Sequence, residues 1–200
     1  MSLRAPLAAL AFVCFACAAR AAEEVSVETL RRGEAVEVSA RALVDAPHAL
    51  IWATLTDYAN FPEFVPGMRS SRVLERRGPT ALVHQQGEAT FLFFSHQIDV
   101  LVETTERAPS LIEIRLVRGS LRQLTGRYEL EKLATAGGDR QVLRWIGTIE
   151  PESGLPPLIG ELLVRANIQD QFLGMVREIE RREAGRRRSP AERASKGLQE

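Results

Sequence analysis

The order of hydrophobic patterns along this chain constrains its fold more than any single residue does. A short amphipathic stretch, Pro47 to Thr56, comes early, strand-like runs follow it without interruption, and one long helical stretch from about Pro156 to Arg182 closes the series. Glu34 to Asp45 alternates with period two, setting Val36, Val38, Ala40, Ala42 and Val44 against Glu37, Ser39 and Arg41. Arg69 to Arg76 and Ala81 to Ala89 read as a hairpin across Arg77-Gly78-Pro79. Phe91 to Thr105 reads as the longest strand, with Leu92, Phe94, Ile98, Val100 and Val102 on one face. Leu111 to Arg118, Leu121 to Leu133 and Arg140 to Glu150 complete the set, divided by Pro109-Ser110, Gly119-Ser120 and Gly137-Gly138-Asp139. Strands joined by turns this short form an antiparallel meander with one buried face, whereas parallel strands need crossover helices that are missing from the pattern. The expectation is an α+β fold, a curved antiparallel β-sheet wrapped around a long C-terminal α-helix with a hydrophobic cavity between them. Pockets for apolar small molecules are commonly built in such gaps.

The first residues point to a compartment. Arg4 precedes an apolar run from Ala5 to Ala19, and Ala19-Arg20-Ala21 offers small residues at the two positions that a signal peptidase reads. An apolar run of about 15 residues is short of the roughly 20 that span a bilayer, which favours a cleaved signal peptide over 1–21 and an exported, periplasmic protein. A retained membrane anchor and a lipid on Cys17 are the alternatives. Both cysteines, Cys14 and Cys17, lie in this segment, so the remainder has no disulfide, thiolate chemistry or cysteine metal site. Residues 22–183 suffice for one ligand-binding domain with a sizeable core. Removing the segment leaves 24 basic and 26 acidic residues, unevenly spread. From Arg181 onward there are seven basic residues and three acidic ones. With Gly185, Ser189, Pro190 and Gly197 this reads as a basic disordered tail over 184–200, suited either to anionic headgroups or to a solvated helix end.

A more specific signal lies at the first helix. Val44-Asp45-Ala46-Pro47, then Ile51-Trp52-Ala53-Thr54-Leu55-Thr56-Asp57-Tyr58, then Phe61-Pro62-Glu63-Phe64-Val65-Pro66 resembles the opening of START-like helix-grip (SRPBCC) proteins. Within them it is most similar to the polyketide cyclase/dehydrase and coenzyme Q-binding group. The resemblance covers about Glu34 to Glu180, including the Pro-rich entry into the last helix. It implies a sheet gripping the C-terminal helix around a cavity for a lipid, quinone or polyketide-like molecule. Carriers, cyclases and interaction proteins share this fold, which therefore does not choose among them.

Polar residues in apolar registers are the candidate ligand contacts, because burying them bare is costly. At 100° per residue, Leu158, Leu162, Phe172, Leu173, Val176 and Ile179 share one side of the last helix, and Glu161, Arg165 and Gln169 fall in the same arc. Glu161 and Arg165 have the spacing of an i,i+4 ion pair. Leu162, Arg165, Gln169 and Phe172 are the ligand contacts expected from the helix. On the strands, Gln85 follows Val83, His96 lies between Phe94 and Ile98, and Tyr128 follows Leu124. Arg118 and Arg122 continue inward registers unless a bulge at Gly119 turns them. Gln85, Phe94, His96, Arg122, Tyr128 and Trp145 are the contacts expected from the sheet. The segment Tyr58 to Met68 suits a pocket lid, a membrane-touching rim or core packing.

Catalytic patterns are thin. His48, His84 and His96 show no metal-ligand spacing, Asp45 and Asp57 flank a helix where capping accounts for them, and no nucleophile elbow, phosphate loop or dinucleotide fingerprint occurs. No catalytic residue, metal or cofactor is assigned, and the arginine-rich tail lacks the aromatic interleaving of a nucleic-acid binder. Three readings remain: an exported, monomeric carrier of an apolar small molecule with transient contact to membrane lipids, a cyclase-type enzyme using His96 with Arg122, and an interaction module with a filled core.

Overall fold

The computed structural model describes residues 25–133, 140–152 and 157–196. Eight strands form one antiparallel sheet in the order β1-β2-β8-β7-β6-β5-β4-β3. The strands are β1 (Ser26–Arg32), β2 (Ala35–Asp45), β3 (Met68–Arg77), β4 (Thr80–Phe91), β5 (Phe94–Arg107), β6 (Leu111–Gly119), β7 (Leu121–Lys132) and β8 (Arg140–Pro151). Between β2 and β3, helix α1 (His48–Leu55), a 3-10 turn (Tyr58–Asn60) and the short α2 (Phe61–Phe64) carry the chain to the far edge of the sheet. Successive hairpins then return it until β8 pairs with β2. The long α3 (Pro157–Lys196) lies against the inner face, touching β1, β2 and β4. The curved antiparallel sheet around one long helix is the expected architecture.

Period-two alternation explains the strands. In β2, Val36, Val38, Ala40, Ala42 and Val44 are all buried, with Glu37, Ser39 and Arg41 facing out. The core collects this row, Ile51 and Leu55 of α1, Val83, Val102, Ile112 and Leu143 of the sheet, and Phe172, Met175, Val176 and Ile179 of α3.

Three elements differ from the sequence expectation. The sheet begins at β1, one strand before Glu34, because Gly33 (φ 66°) supports a tight turn that folds Ser26–Arg32 back onto β2. The stretch expected as one strand from Phe91 is split: Phe91 pairs with Phe94, and Leu92 and Phe93 form the turn between β4 and β5. Leu92 is therefore exposed and not on the buried face. Finally, α3 continues past Arg182 to Lys196, so residues 184–196 of the expected tail are helical. Glu178 binds Arg181 and Arg182 and Glu183 binds Arg186 and Arg187, pairs at i+3 and i+4 that support a continuing helix. Residues 1–24, which include the expected signal peptide, lie outside the described residues.

Candidate functional site

An apolar cavity of about 170 Å³ lies between the sheet and the first half of α3. Its walls are Ile98 and Val100 of β5, Ile114 of β6, Leu121, Leu124 and Tyr128 of β7, and Trp145 and Ile149 of β8. From α3 come Leu163, Val164, Asn167, Ile168, Gln171, Phe172 and Met175. The segment after α1 covers the cavity through Phe61, Val65, Gly67 and Met68, so the Tyr58 to Met68 stretch serves as core packing and pocket wall together. Its position is fixed at Gly67 (φ 77°), whose carbonyl accepts the Glu88 N–H at 2.8 Å. A Cβ on Gly67 would stand 2.5 Å from the Glu88 carbonyl oxygen, so only glycine allows this docking.

The floor is an indole laid over two glycines. Gly126 and Gly147 are paired across β7 and β8, and Trp145 is paired with Tyr128 two residues further along. A Cβ on Gly147 would meet the Trp145 ring at 2.8 Å, and one on Gly126 would meet it at 2.9 Å. The missing side chains let the indole lie flat against the sheet with its upper face towards the hollow.

Among the described residues, two polar groups in the lining have no hydrogen-bond partner. Tyr128 is enclosed by protein, and burial alone pushes its hydroxyl up to about 12. No hydrogen bond is made by that hydroxyl among the described residues. Tyr128 nevertheless keeps part of its surface accessible, and that surface faces the cavity. His96 lines the opposite end, near the β4–β5 turn, and its Nε2 is buried with no hydrogen-bond partner among the described residues. Gln85 is also in the lining and donates to Ser71 Oγ at 3.5 Å. Glu88, at the mouth, accepts from Ser95 and Arg69, which hold its carboxyl below the usual range.

Of the expected contacts, Gln85, His96, Tyr128, Trp145 and Phe172 do line the cavity. Arg122 does not: it forms an outward ion pair with Glu34 at 2.5 Å and approaches Glu150 at 3.5 Å. The register between β7 and β8 shifts between Leu121 and Gln123, which turns Arg122 to the outer face. Arg118 is likewise exposed. Leu162, Arg165 and Gln169 are also off the cavity, Arg165 and Gln169 being exposed. The lining face of α3 is rotated from the expected one by about one residue, or 100°, so Val164 and Ile168 stand where Arg165 and Gln169 were expected, with Phe172 at the shared edge of both faces. Glu161 points to β1, accepting from Thr29 Oγ1 at 3.1 Å. The side chain of Phe94 lies outside the described residues. Asn167 and Gln171 are lining residues that sequence reasoning missed; two polar residues four apart within an apolar stretch were the available signal.

Residues 44–172, more than half of the chain, match the family described as polyketide cyclase/dehydrase and lipid transport. The chain belongs to this family. Among solved structures, the polyketide cyclase and lipid transport fold recurs in a STAR-related lipid transfer protein from Xanthomonas axonopodis (TM-score 0.65, 14% identity, 79% of this chain and 94% of that one). A START superfamily protein from Mycobacterium smegmatis gives a TM-score of 0.62 at 17% identity, over 72% of this chain and 97% of that one. The Zhui aromatase/cyclase of a Streptomyces species gives 0.61 at 15% identity, over 74% and 95%. Identities this low establish the shared helix-grip fold. A search of curated proteins gives no match. Among the described residues no cluster of side chains suits a metal ion, and no helix is long and apolar enough to cross a membrane.

Proposed function

We propose that this member of the polyketide cyclase and lipid transport family is an exported carrier of one apolar small molecule. The molecule sits between the sheet and α3, its body over Trp145 and a polar atom hydrogen-bonded to Tyr128. The observation that carries this reading is a pair of polar groups on an apolar hollow, the Tyr128 hydroxyl facing it and His96 Nε2 buried without a hydrogen-bond partner among the described residues. A buried polar group in that state is satisfied by something the protein itself does not supply. Size narrows the class. An apolar hollow of roughly 150 Å³ holds benzene, and drug-sized ligands occupy about 300–1,000 Å³. A cavity of about 170 Å³ suits a ring or a single short chain and is too small for a two-tailed lipid without widening. Export is supported by Arg4, the apolar run to Ala19 and the small residues that follow.

A cyclase would need polar groups converging on one reacting point. Here Tyr128 is paired with Ile112, which is paired with Glu106, ten residues along β5 from His96. That spread favours a carrier. The test is to purify the protein from cell envelope, extract it with organic solvent and identify the extract by mass spectrometry. A stoichiometric apolar molecule bearing an oxygen or nitrogen function is expected, with retention reduced about tenfold by Tyr128→Phe, the loss of one hydrogen bond. A protein that is folded and empty overturns the reading.

A further inference from the structure

The mouth end of the cavity is lined by amides. Asn167 and Gln171 are four residues apart on α3, which sets both on one face of the helix, half-buried in the cavity wall. A Cβ on Gly67 would lie 3.9 Å from Asn167 Nδ2, which places this amide beneath the segment that covers the cavity. The Gly67 carbonyl is bonded to Glu88, and the next residue, Ala89, is paired with His96. Asn167 and His96 therefore belong to one end, and Gln85 lines it from β4. Asn167 and Gln171 add to the Tyr128 hydroxyl and His96 Nε2, for neither amide makes a hydrogen bond among the described residues. Leucine or methionine at these positions would face the hollow at no polar cost. Folding alone does not account for the amides.

Charge narrows what this end can hold. Among the described residues no lysine or arginine lines the cavity: Arg122 is paired on the outer face and Arg165 is exposed. The one carboxylate of the lining, Glu88, is engaged by Arg69 and Ser95. An ionised head drawn into this hollow would lose its water and meet no counter-ion, a cost that a few hydrogen bonds do not offset. Amides suit an uncharged group instead. Each offers two N–H donors and a carbonyl acceptor, and neither exchanges charge with what it binds. Such a cluster holds a head that both donates and accepts, without reacting with it.

We infer that the mouth end selects an uncharged head group, a carboxamide or an alcohol, through Asn167, Gln171 and His96, and rejects a carboxylate on the same apolar body. This deepens the carrier reading and rests on it, adding a second polar group to the molecule besides the one at Tyr128.

The test titrates the full chain calorimetrically with propylbenzene, 4-propylbenzamide and 4-propylbenzoate at about pH 8, where a carboxylic acid is ionised. The amide should bind about tenfold more tightly than the hydrocarbon, the effect of one net hydrogen bond, and the benzoate more weakly than either. Asn167→Leu and Gln171→Met, apolar replacements of similar shape, should each remove most of the amide's advantage and leave propylbenzene binding unchanged. A benzoate that binds as tightly as the amide overturns the inference, because His96 would then supply the missing cation. So do variants that weaken amide and hydrocarbon alike, which would make both side chains packing groups. Propylbenzene separates the two proposals. If it binds and the three molecules are not distinguished, the carrier stands and the head-group inference falls. If none of the three binds, the carrier reading falls and takes the inference with it.

Discussion

The two ends of β5 are held in opposite ways. At its Glu106 end the fold is clasped by charge: Glu106 accepts from Tyr58 and from Arg76, each at 3.0 Å, and Arg76 lies over the Tyr58 ring. Beside it Arg182 of α3 spans Asp57 at 2.7 Å and the buried Glu178 at 2.6 Å, and covers the ring of Phe64. Glu183, also buried, pairs with Arg186 and Arg187. At its Phe94 end β5 leads to an apolar cavity and a turn of exposed hydrophobic residues. Directional, partnered groups fix the helix to the sheet where nothing needs to enter, and non-directional apolar surface is left where something must. The contrast teaches that stability and binding are divided along the length of one strand.

The largest expected effect tests that division with one chemistry at both ends. Ile179 is fully buried near the clasp, whereas Ile168 borders the cavity and is partly buried. Ile179→Ala should cost about 3 kcal/mol, since it opens a new void in packed core. Ile168→Ala should cost about 1 kcal/mol, because its side chain already borders empty space. Urea unfolding midpoints measure both. Equal losses would break the comparison.

Next come the ion pairs. Arg182→Ala leaves the buried Glu178 with Arg181 alone and takes the ion pair from Asp57, and should cost about 2 kcal/mol. Arg69→Ala, at the mouth, removes a pair with Glu88 in which the arginine is mostly exposed, and should leave the melting temperature nearly unchanged. Thermal melts of the two variants, in low and high salt, measure the difference.

A smaller effect is set by pH. Hydrogen bonds from Arg186 and then Arg187 lower the Glu183 carboxyl from 4.5 to about 2. A carboxyl whose folded value lies below its unfolded one stabilises the fold above the unfolded value, and that contribution fades as pH falls through the folded value. The clasped end should therefore weaken between about pH 4.5 and 2. Glu183→Gln should flatten the unfolding midpoint in that window and leave the wild type ahead at pH 7.

Much of the sheet was legible because alternation reports directly which face is buried: the β2 row from Val36 to Val44 reads the same in sequence and structure. The helix was less so. Apolar periodicity marks what is buried, but a cavity wall is a different set, and Leu158 is exposed while Asn167 and Gln171 line the hollow. Register irregularities are invisible to alternation, so Arg122 was placed inward although the shift after Leu121 turns it out. The turn at Leu92 was unreadable for a further reason: its residues carry strand propensity where turn chemistry was needed.

That turn yields the smallest effect, and one of opposite sign. Leu92 holds a left-handed backbone at a cost of about 1 kcal/mol that glycine does not pay. Its side chain returns little of this to the fold, being 75% exposed. Leu92→Gly should therefore raise the unfolding midpoint, whereas every substitution near the clasp lowers it. If Leu92→Gly destabilises the protein, the leucine is packed for the sake of the fold, and the mouth is held by the same means as the clasp.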